Sequence, residues 1–420
     1  MNKIYTVAII GLGGRGGDVY GPLIFDKKDC FQITAICDLK ADKLSIFQEK
    51  FFLKDDCCFI DEKEFFKEKR ADLLVIATPD KCHVRHCLKA FELGYDIMTE
   101  KPLTDDKEEC EVLLAAQKKS GAKALVCHVL RYAPAFTKTA ELLEGGEIGQ
   151  LVAIDALERV GYAHYSHSYV RGNWRNLQVS APMILAKCCH DLDLLQWYAN
   201  SSCKSISSVG NLVYFKPENA PEGSTDRCMN CPYADTCAYS AKKQYLSYWK
   251  ELGCPDDRWP FNVMAQAPLT EEKILSSLKE GDYGRCVYRC DNDVVDHQLT
   301  TMTFDNGVKA TLTMTAFTAG GGRRYTFHGT LGELVLDEAS NTLTVHKYGQ
   351  DAVIHTLSDL NEKGYGHGGG DAGLINALYG MLSGESAQKT SFSASVESHL
   401  MGICAEESRL QGGKLVYVHK

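Results

Sequence analysis

The sequence predicts an α/β domain built on a doubly wound parallel sheet, followed by an α+β domain with a large, mainly antiparallel sheet. Three observations carry this reading. Apolar, β-branched runs alternate with helix-like segments through the first part of the chain, the rhythm of β-α-β units. A glycine-rich turn directly follows the first of these runs. From Leu151 onward the pattern changes to successive strands of alternating polarity, the mark of a sheet with one buried face. A length of 420 residues accommodates two or three domains at roughly 150 residues each.

Thr6-Val7-Ala8-Ile9-Ile10 is apolar without alternation, as expected of a parallel strand buried on both faces. Gly11-Leu12-Gly13-Gly14-Arg15-Gly16 follows at once. In that position the G-x-G-x-x-G spacing has a physical meaning: Gly11 makes the tight turn, Gly13 lets the backbone approach a pyrophosphate, and Gly16 permits close helix–strand packing, with the phosphates at a helix N-terminus. Gly14 and Arg15 lie within the same loop and join the predicted cofactor contacts. A second run, Phe31–Cys37, ends at Asp38, where a carboxylate accepts hydrogen bonds from an adenosine ribose diol. That favours NAD, while Lys40 close by leaves NADP open. A third run, Asp72–Ala77, ends in Thr78-Pro79, and a fourth, Tyr95–Thr99, ends in Glu100-Lys101-Pro102. Together these define a dinucleotide-binding Rossmann domain over residues 1–127.

Residues 128–420 are expected to form the substrate and oligomerisation domain. Leu151–Glu158 begins a strand. In the run Gly307–Ala316, Val308, Ala310, Leu312, Met314 and Ala316 face one way, and Lys309, Thr311, Thr313 and Thr315 the other. Asp305-Asn306-Gly307 is a hairpin turn that pairs this strand with Leu299–Phe304. Further strands are predicted at Arg324–Phe327, Glu333–Leu336 and Thr342–His346. The uncharged, threonine-rich face suits a subunit interface, and a homodimer or homotetramer through this sheet is expected. Residues 216–298 form a cysteine-containing insertion. Cys228-x2-Cys231-x5-Cys237 has the spacing of zinc ligands, but a structural site needs four and spacing does not supply the fourth. Reduced, partly buried thiols are the expected reading, with zinc as the alternative.

Composition excludes several classes. With 46 Lys+Arg against 55 Asp+Glu, a formal net charge of −9, and no long basic run, the chain has no electrostatic footprint for nucleic acid or an anionic membrane surface. No apolar run approaches the roughly 18–20 residues that cross a bilayer, and Tyr5–Ile10 is too short for a signal peptide's apolar core. The 18 cysteines read as reduced thiols, so a cytoplasmic protein is expected.

The glycine fingerprint, Asp38, Ala77-Thr78-Pro79 with His83 four residues on, Glu100-Lys101-Pro102-Leu103, His190-Asp191-Leu192-Asp193 and the Gly329–Glu333 turn together resemble the Gfo/Idh/MocA oxidoreductases, the relatives of glucose–fructose oxidoreductase and inositol dehydrogenase. The resemblance covers nearly the whole chain. It implies that Lys101 lies beside the nicotinamide and hydrogen-bonds the substrate hydroxyl, that His190 is the acid/base, and that Thr78, Pro79, His83 and Glu100 belong to the cofactor site. Many relatives carry an aspartate four residues before the histidine. Here that position is Ala186, so either Lys187 or a later carboxylate completes the site, or substrate and reaction differ from those of the sugar dehydrogenases. Asp193, one turn after His190, is a candidate to orient the imidazole. Arg131, Tyr132 and Tyr162 are candidate wall residues, Trp174 offers a flat face to a sugar ring, and His297 and His367 are further substrate candidates. The segment His367–Asp371 resembles one that in some relatives reaches the substrate pocket at the start of a helix, and helix capping by Asp371 is the other reading.

Oxidising a secondary alcohol needs a base for the hydroxyl proton while hydride leaves carbon, and a lysine and a histidine supply such groups. The expected function is hydride transfer between a nicotinamide cofactor and a secondary hydroxyl of a sugar, cyclitol or sugar derivative. A redox-neutral, NAD-dependent glycosidase acting through a transient keto-sugar is the alternative. A dinucleotide sensor without activity is a third reading, motivated only by the residue at 186.

Overall fold

The computed structural model describes residues 3–256, 258–360, 366–385 and 390–419. Six strands, β1 (Tyr5–Ile10), β2 (Phe31–Cys37), β3 (Cys58–Phe59), β4 (Leu73–Ile76), β5 (Asp96–Thr99) and β6 (Ala124–Val126), form a sheet in the order β3-β2-β1-β4-β5-β6. All its pairings are parallel. Strand order reverses between β1 and β4, so the carboxyl ends of β1, β2, β4 and β5 surround the crevice where such sheets bind ligands. Val7, Ala8 and Ile9 are completely buried, as are all of β4's residues, which accounts for the unalternated apolar runs.

The second sheet has nine strands: β7 (Leu151–Arg159), β8 (Cys203–Asn211), β9 (His297–Phe304), β10 (Lys309–Thr315), β11 (Gly322–Gly329), β12 (Gly332–Asp337), β13 (Thr342–Lys347), β14 (Val353–Thr356) and β15 (Val416–Tyr417), in the order β14-β13-β12-β11-β7-β10-β9-β8-β15. Every pair is antiparallel except β7 with β10. The hairpin turn at Asn306-Gly307 joins β9 to β10, with Gly307 at φ +93°. Val308, Ala310, Leu312, Met314 and Ala316 are buried against the helices on one face. On the outward face, Val209, Leu299, Thr313, Leu157 and Arg324 stand in one row across five strands. Leu299 is 48% and Val209 49% exposed.

The two halves are not divided cleanly along the chain. The helix Gly370–Ser383 sends Leu374, Ile375, Leu378, Met381 and Leu382 into the core of the first sheet beside Tyr5, Val7 and Val129. Phe392 and Val396, of the helix Phe392–Leu410, join the core on that sheet's other face. The insertion has a small core of its own, with Tyr245, Trp249, Phe261, Ile274 and Leu278 around Cys228. Among the described residues no helix is long and apolar enough to cross a membrane.

Candidate active site

The glycine loop leaves β1 through Gly11, whose φ of +92° and distance of 2.4 Å from an added Cβ to the Ala77 carbonyl oxygen both demand glycine. Gly16 is equally constrained, since its Cβ would fall 2.0 Å from the Gly11 carbonyl oxygen. Above Gly13 and Gly14, by contrast, no atom lies within 4 Å of an added Cβ. The loop thus exposes bare backbone to the crevice, the surface a pyrophosphate requires. Asp38, at the end of β2, accepts from the Leu12 N–H at 2.7 Å and from the Lys40 N–H at 2.9 Å. Its carboxylate therefore sits against the loop. These features fit a dinucleotide with its pyrophosphate over Gly13 and its ribose at Asp38.

Beyond Gly16 the chain turns through a short π-helical segment, Gly16–Tyr20, into Gly21–Phe25. Arg15 folds inward from the loop. Its Nε donates to Glu100 Oε1 at 2.9 Å, one terminal nitrogen donates to Asp371 Oδ1 at 2.6 Å, and its plane lies over the Tyr20 ring. Burial pushes the Glu100 carboxyl up, but Arg15 and Lys101 outweigh it and hold Glu100 below the usual range. Asp371 is likewise held low against its burial by His367 and Arg15. It is not the cap predicted for it: Gly369 holds the N-cap position, and the carboxylate spends both oxygens on Arg15 and on His367 Nδ1 at 3.0 Å. A half-buried guanidinium beside a buried carboxylate draws it more strongly than a helix terminus does.

Thr78 and Pro79 follow β4. His83 ties that strand end to the next, its ring nitrogens 2.6 Å from the Pro102 carbonyl oxygen and 2.8 Å from that of Thr78. Lys101 emerges at the end of β5, its Nζ 3.4 Å from the carbonyl oxygen of Ala186. The position where many relatives carry an aspartate thus meets the lysine with a peptide oxygen instead.

His190 comes from the second domain on the helix Cys189–Ala199 and is buried. Burial holds it well below the ordinary histidine value, and Lys101, Arg323, His128 and His367 add to that depression. Its ring centroid is 6.0 Å from that of His128 and 6.3 Å from that of His367. Among the described residues its Nδ1 has no hydrogen-bond partner. Next to it Lys187 Nζ lies 3.2 Å from Glu158 Oε1, and Arg323 bridges Glu158 at 2.9 Å and Asp191 at 2.8 Å. Tyr325 also donates to Asp191, at 2.6 Å.

Several predicted residues lie elsewhere. Asp193 does not reach the imidazole: it takes a bidentate pair from Arg131, at 2.6 and 2.8 Å. A neutral imidazole makes no comparable demand on a carboxylate, and the pair leaves neither residue to form the wall of a pocket. Tyr132 is buried in the first core with Leu374 and Ile375. His297 faces outward in the same register as Leu299 and is held by Asp296. Tyr162 sits against Tyr239, 6.0 Å between centroids. Trp174 is exposed at 6.2 Å from Tyr169.

Sequence reasoning missed His128, His164, Glu158 and Arg323. His128 directly follows Cys127 at the carboxyl end of β6, a position at the ligand-binding edge that marks it in hindsight. Burial pushes Glu158 up, against Arg323 and Lys187. His164 is held well below the ordinary value by burial and by Lys187, and the Trp259 ring of the insertion stands 5.1 Å from it.

Residues 5–128 match the model of the Gfo/Idh/MocA oxidoreductases with NAD-binding Rossmann fold, and residues 140–415 match that family's C-terminal α/β domain. A Bacillus subtilis protein named as an oxidoreductase, YteT, is 23% identical over 394 residues, 89% of this chain and 88% of that protein. An inositol 2-dehydrogenase of Salmonella typhimurium is 22% identical over 215 residues, 50% of this chain and 58% of that protein. Among solved structures, levoglucosan dehydrogenase in complex with NADH and L-sorbose superposes over 100% of both chains with a TM-score of 0.72 at 16% identity. Both domain models together span most of the sequence in the order the two sheets occupy, and the chain belongs to the Gfo/Idh/MocA family as an NAD-binding oxidoreductase.

Proposed function

We propose that this protein transfers hydride between NAD and a secondary hydroxyl of a sugar, cyclitol or sugar derivative. The observation that supports this most strongly is that Lys101, from the end of β5, reaches the Ala186 carbonyl of the second domain, close enough for its charge to bear on the buried His190. Gly11, Gly13, Gly14, Gly16, Asp38, Thr78, Pro79, His83 and Glu100 would hold the cofactor, with Arg15 in the same loop. NAD supplies the hydride acceptor when bound. Lys101 donates a hydrogen bond to the substrate oxygen and steadies the alkoxide as it forms. His190, kept neutral by its surroundings, takes the hydroxyl proton. Lys187 and His367 are placed in this reading as substrate contacts. The substrate class follows what the relatives' names state for those proteins, inositol and levoglucosan.

A second reading has its own observation behind it. Gln266, in the insertion, donates from Nε2 to Asp42 Oδ2 at 2.6 Å, just beyond Asp38. With Trp259 edge-on to His164, the insertion would in this reading reach from the substrate side to the adenosine side of the cleft. A cofactor held under such a strap suits an enzyme that takes its hydride back within each turnover, a redox-neutral glycosidase. Proton NMR in heavy water, with NAD and a panel of sugars, cyclitols, sugar acids and glycosides, separates the two. A ketone growing in step with NADH supports the dehydrogenase. Glycoside cleavage with deuterium entering next to the oxidised carbon, and no net NADH, supports the glycosidase. No turnover of any member would count against both.

The reading extends to a homodimer or homotetramer formed through the outward face of the second sheet. It also assigns the enzyme to the cytoplasm, on the ground that 18 cysteines suit a reducing compartment.

A further inference from the structure

The insertion's cysteines take no part in the chemistry above. An isolated antiparallel bridge joins Arg227 to Arg285, the residues that precede Cys228 and Cys286, and these two cysteines, 58 positions apart in the chain, line the same small cavity. A turn over Cys228–Asn230, closed from the Cys231 N–H to the Cys228 carbonyl at 3.3 Å, brings Cys231 back. A second turn, closed from the Cys237 N–H to the Tyr233 carbonyl at 2.8 Å, returns Cys237. All four residues line one small cavity, and all four are free thiols. The fourth partner that spacing alone does not reveal is therefore Cys286.

A second observation is independent of the first. Arg171 is completely buried. Its guanidinium donates to the Arg285 carbonyl at 2.8 Å, the Tyr239 carbonyl at 2.7 Å, Gln244 Oε1 at 3.1 Å and Cys228 Sγ at 3.6 Å. Among the described residues no carboxylate stands within ion-pair distance of it. A buried cation without a counter-charge is expensive, and of its partners only the sulfur can carry negative charge.

We propose that Cys228, Cys231, Cys237 and Cys286 bind a thiophilic metal centre as thiolates, with Arg171 as the buried counter-cation. Binding exchanges the thiol protons for the metal and fastens the insertion at both of its ends. Among the described residues no three such side chains already converge on the geometry of a single ion, so loading either draws the sulfurs inward or fills the void between them. Zinc and an iron–sulfur cluster share this tetrathiolate chemistry, and the experiment distinguishes them.

Full-length protein is produced with zinc in the medium and, separately, under anaerobic conditions with iron and sulfide. Elemental analysis and a visible spectrum are recorded on each. The expected result is about one zinc per chain with no visible absorption, or about four irons with a broad visible band. Cys286→Ser and Cys231→Ser lose the metal, whereas Cys254→Ser, at an exposed position of the same insertion, keeps it. Should the ligand variants fail to fold, thiol titration of the unaltered protein gives the same answer: these cysteines react only after a chelator has stripped the metal. Metal below roughly a tenth of an equivalent in both preparations, unchanged metal in Cys286→Ser, or a disulfide among the four cysteines overturns the proposal.

Discussion

At His190, burial and the cations Lys101 and Arg323 act in the same direction, and both keep the imidazole uncharged. A base must be neutral to accept a proton, so oxidation slows only as pH falls through the pKa of this histidine. Since that pKa is depressed, the acidic limb of kcat/KM is expected below pH ~6.5, the ordinary histidine value. A pH–rate profile checks it, and a limb at or above that value contradicts the role. His190→Asn should lower kcat by about 100- to 10,000-fold while leaving NAD affinity, measured by fluorescence titration, nearly unchanged. Arg323 carries a different kind of weight. It answers both Glu158 and Asp191 in the interior, so Arg323→Met leaves Asp191 buried without a cation and Glu158 with Lys187 alone, and should cost about 3–5 kcal/mol in urea denaturation.

At the scale of elements, the turn after β1 depends on how closely two backbones approach. Gly16→Ala would push a methyl group into the Gly11 carbonyl. The expected outcome is a loss of about 1–3 kcal/mol of stability together with weaker NAD binding, read by calorimetry on the two proteins. This element was legible in the sequence because its determinants are local: an apolar run, glycines at fixed offsets, and an acidic residue at the next strand's end. The Asn306-Gly307 hairpin was legible for the same reason. What escaped were partnerships made by chains far apart. Asp371 looks like a cap until Arg15, 356 positions away, is folded against it. Asp193 looks like a partner for His190 until Arg131 is buried beside it. His297 lies on a strand whose alternation was readable, but which parity faced outward at that strand's first residue depended on the neighbouring strands. For Asp371 and Asp193 the deciding term was the cost of leaving a charge unpaired away from water, and a sequence does not state which charges will be so placed.

For the whole molecule, histidines buried in the neutral form make stability depend on pH. Burial pushes His167 and His399 down to about 3, and holds His164 and His190 well below the ordinary value. Below about pH 6.5 the unfolded chain protonates these rings while the folded chain does not. The unfolded state then binds more protons, so stability rises with pH across this window and is lost on acidification, by up to about 1.4 kcal/mol per pH unit for each such histidine. Thermal melts between pH 7 and 5 should show a steadily falling midpoint, and a flat profile would contradict the buried-neutral assignment. On the outward face of the second sheet, Leu299→Asp should reduce the proposed oligomer to single chains in light scattering, and an unchanged mass would count against that face as the contact. The return of the helix Gly370–Ser383 to the first sheet bears on synthesis as well. Tyr5 donates its hydroxyl proton to the Leu382 carbonyl, 377 positions further on, and Lys123 reaches the same oxygen. The ribosome delivers the nucleotide-binding half first, yet the apolar side chains that seal one face of its sheet arrive only after some 240 further residues have been made. During that interval the nascent chain carries an open hydrophobic surface. Its maturation therefore waits on the helix Gly370–Ser383, and until that helix is made the unfinished sheet is exposed to aggregation.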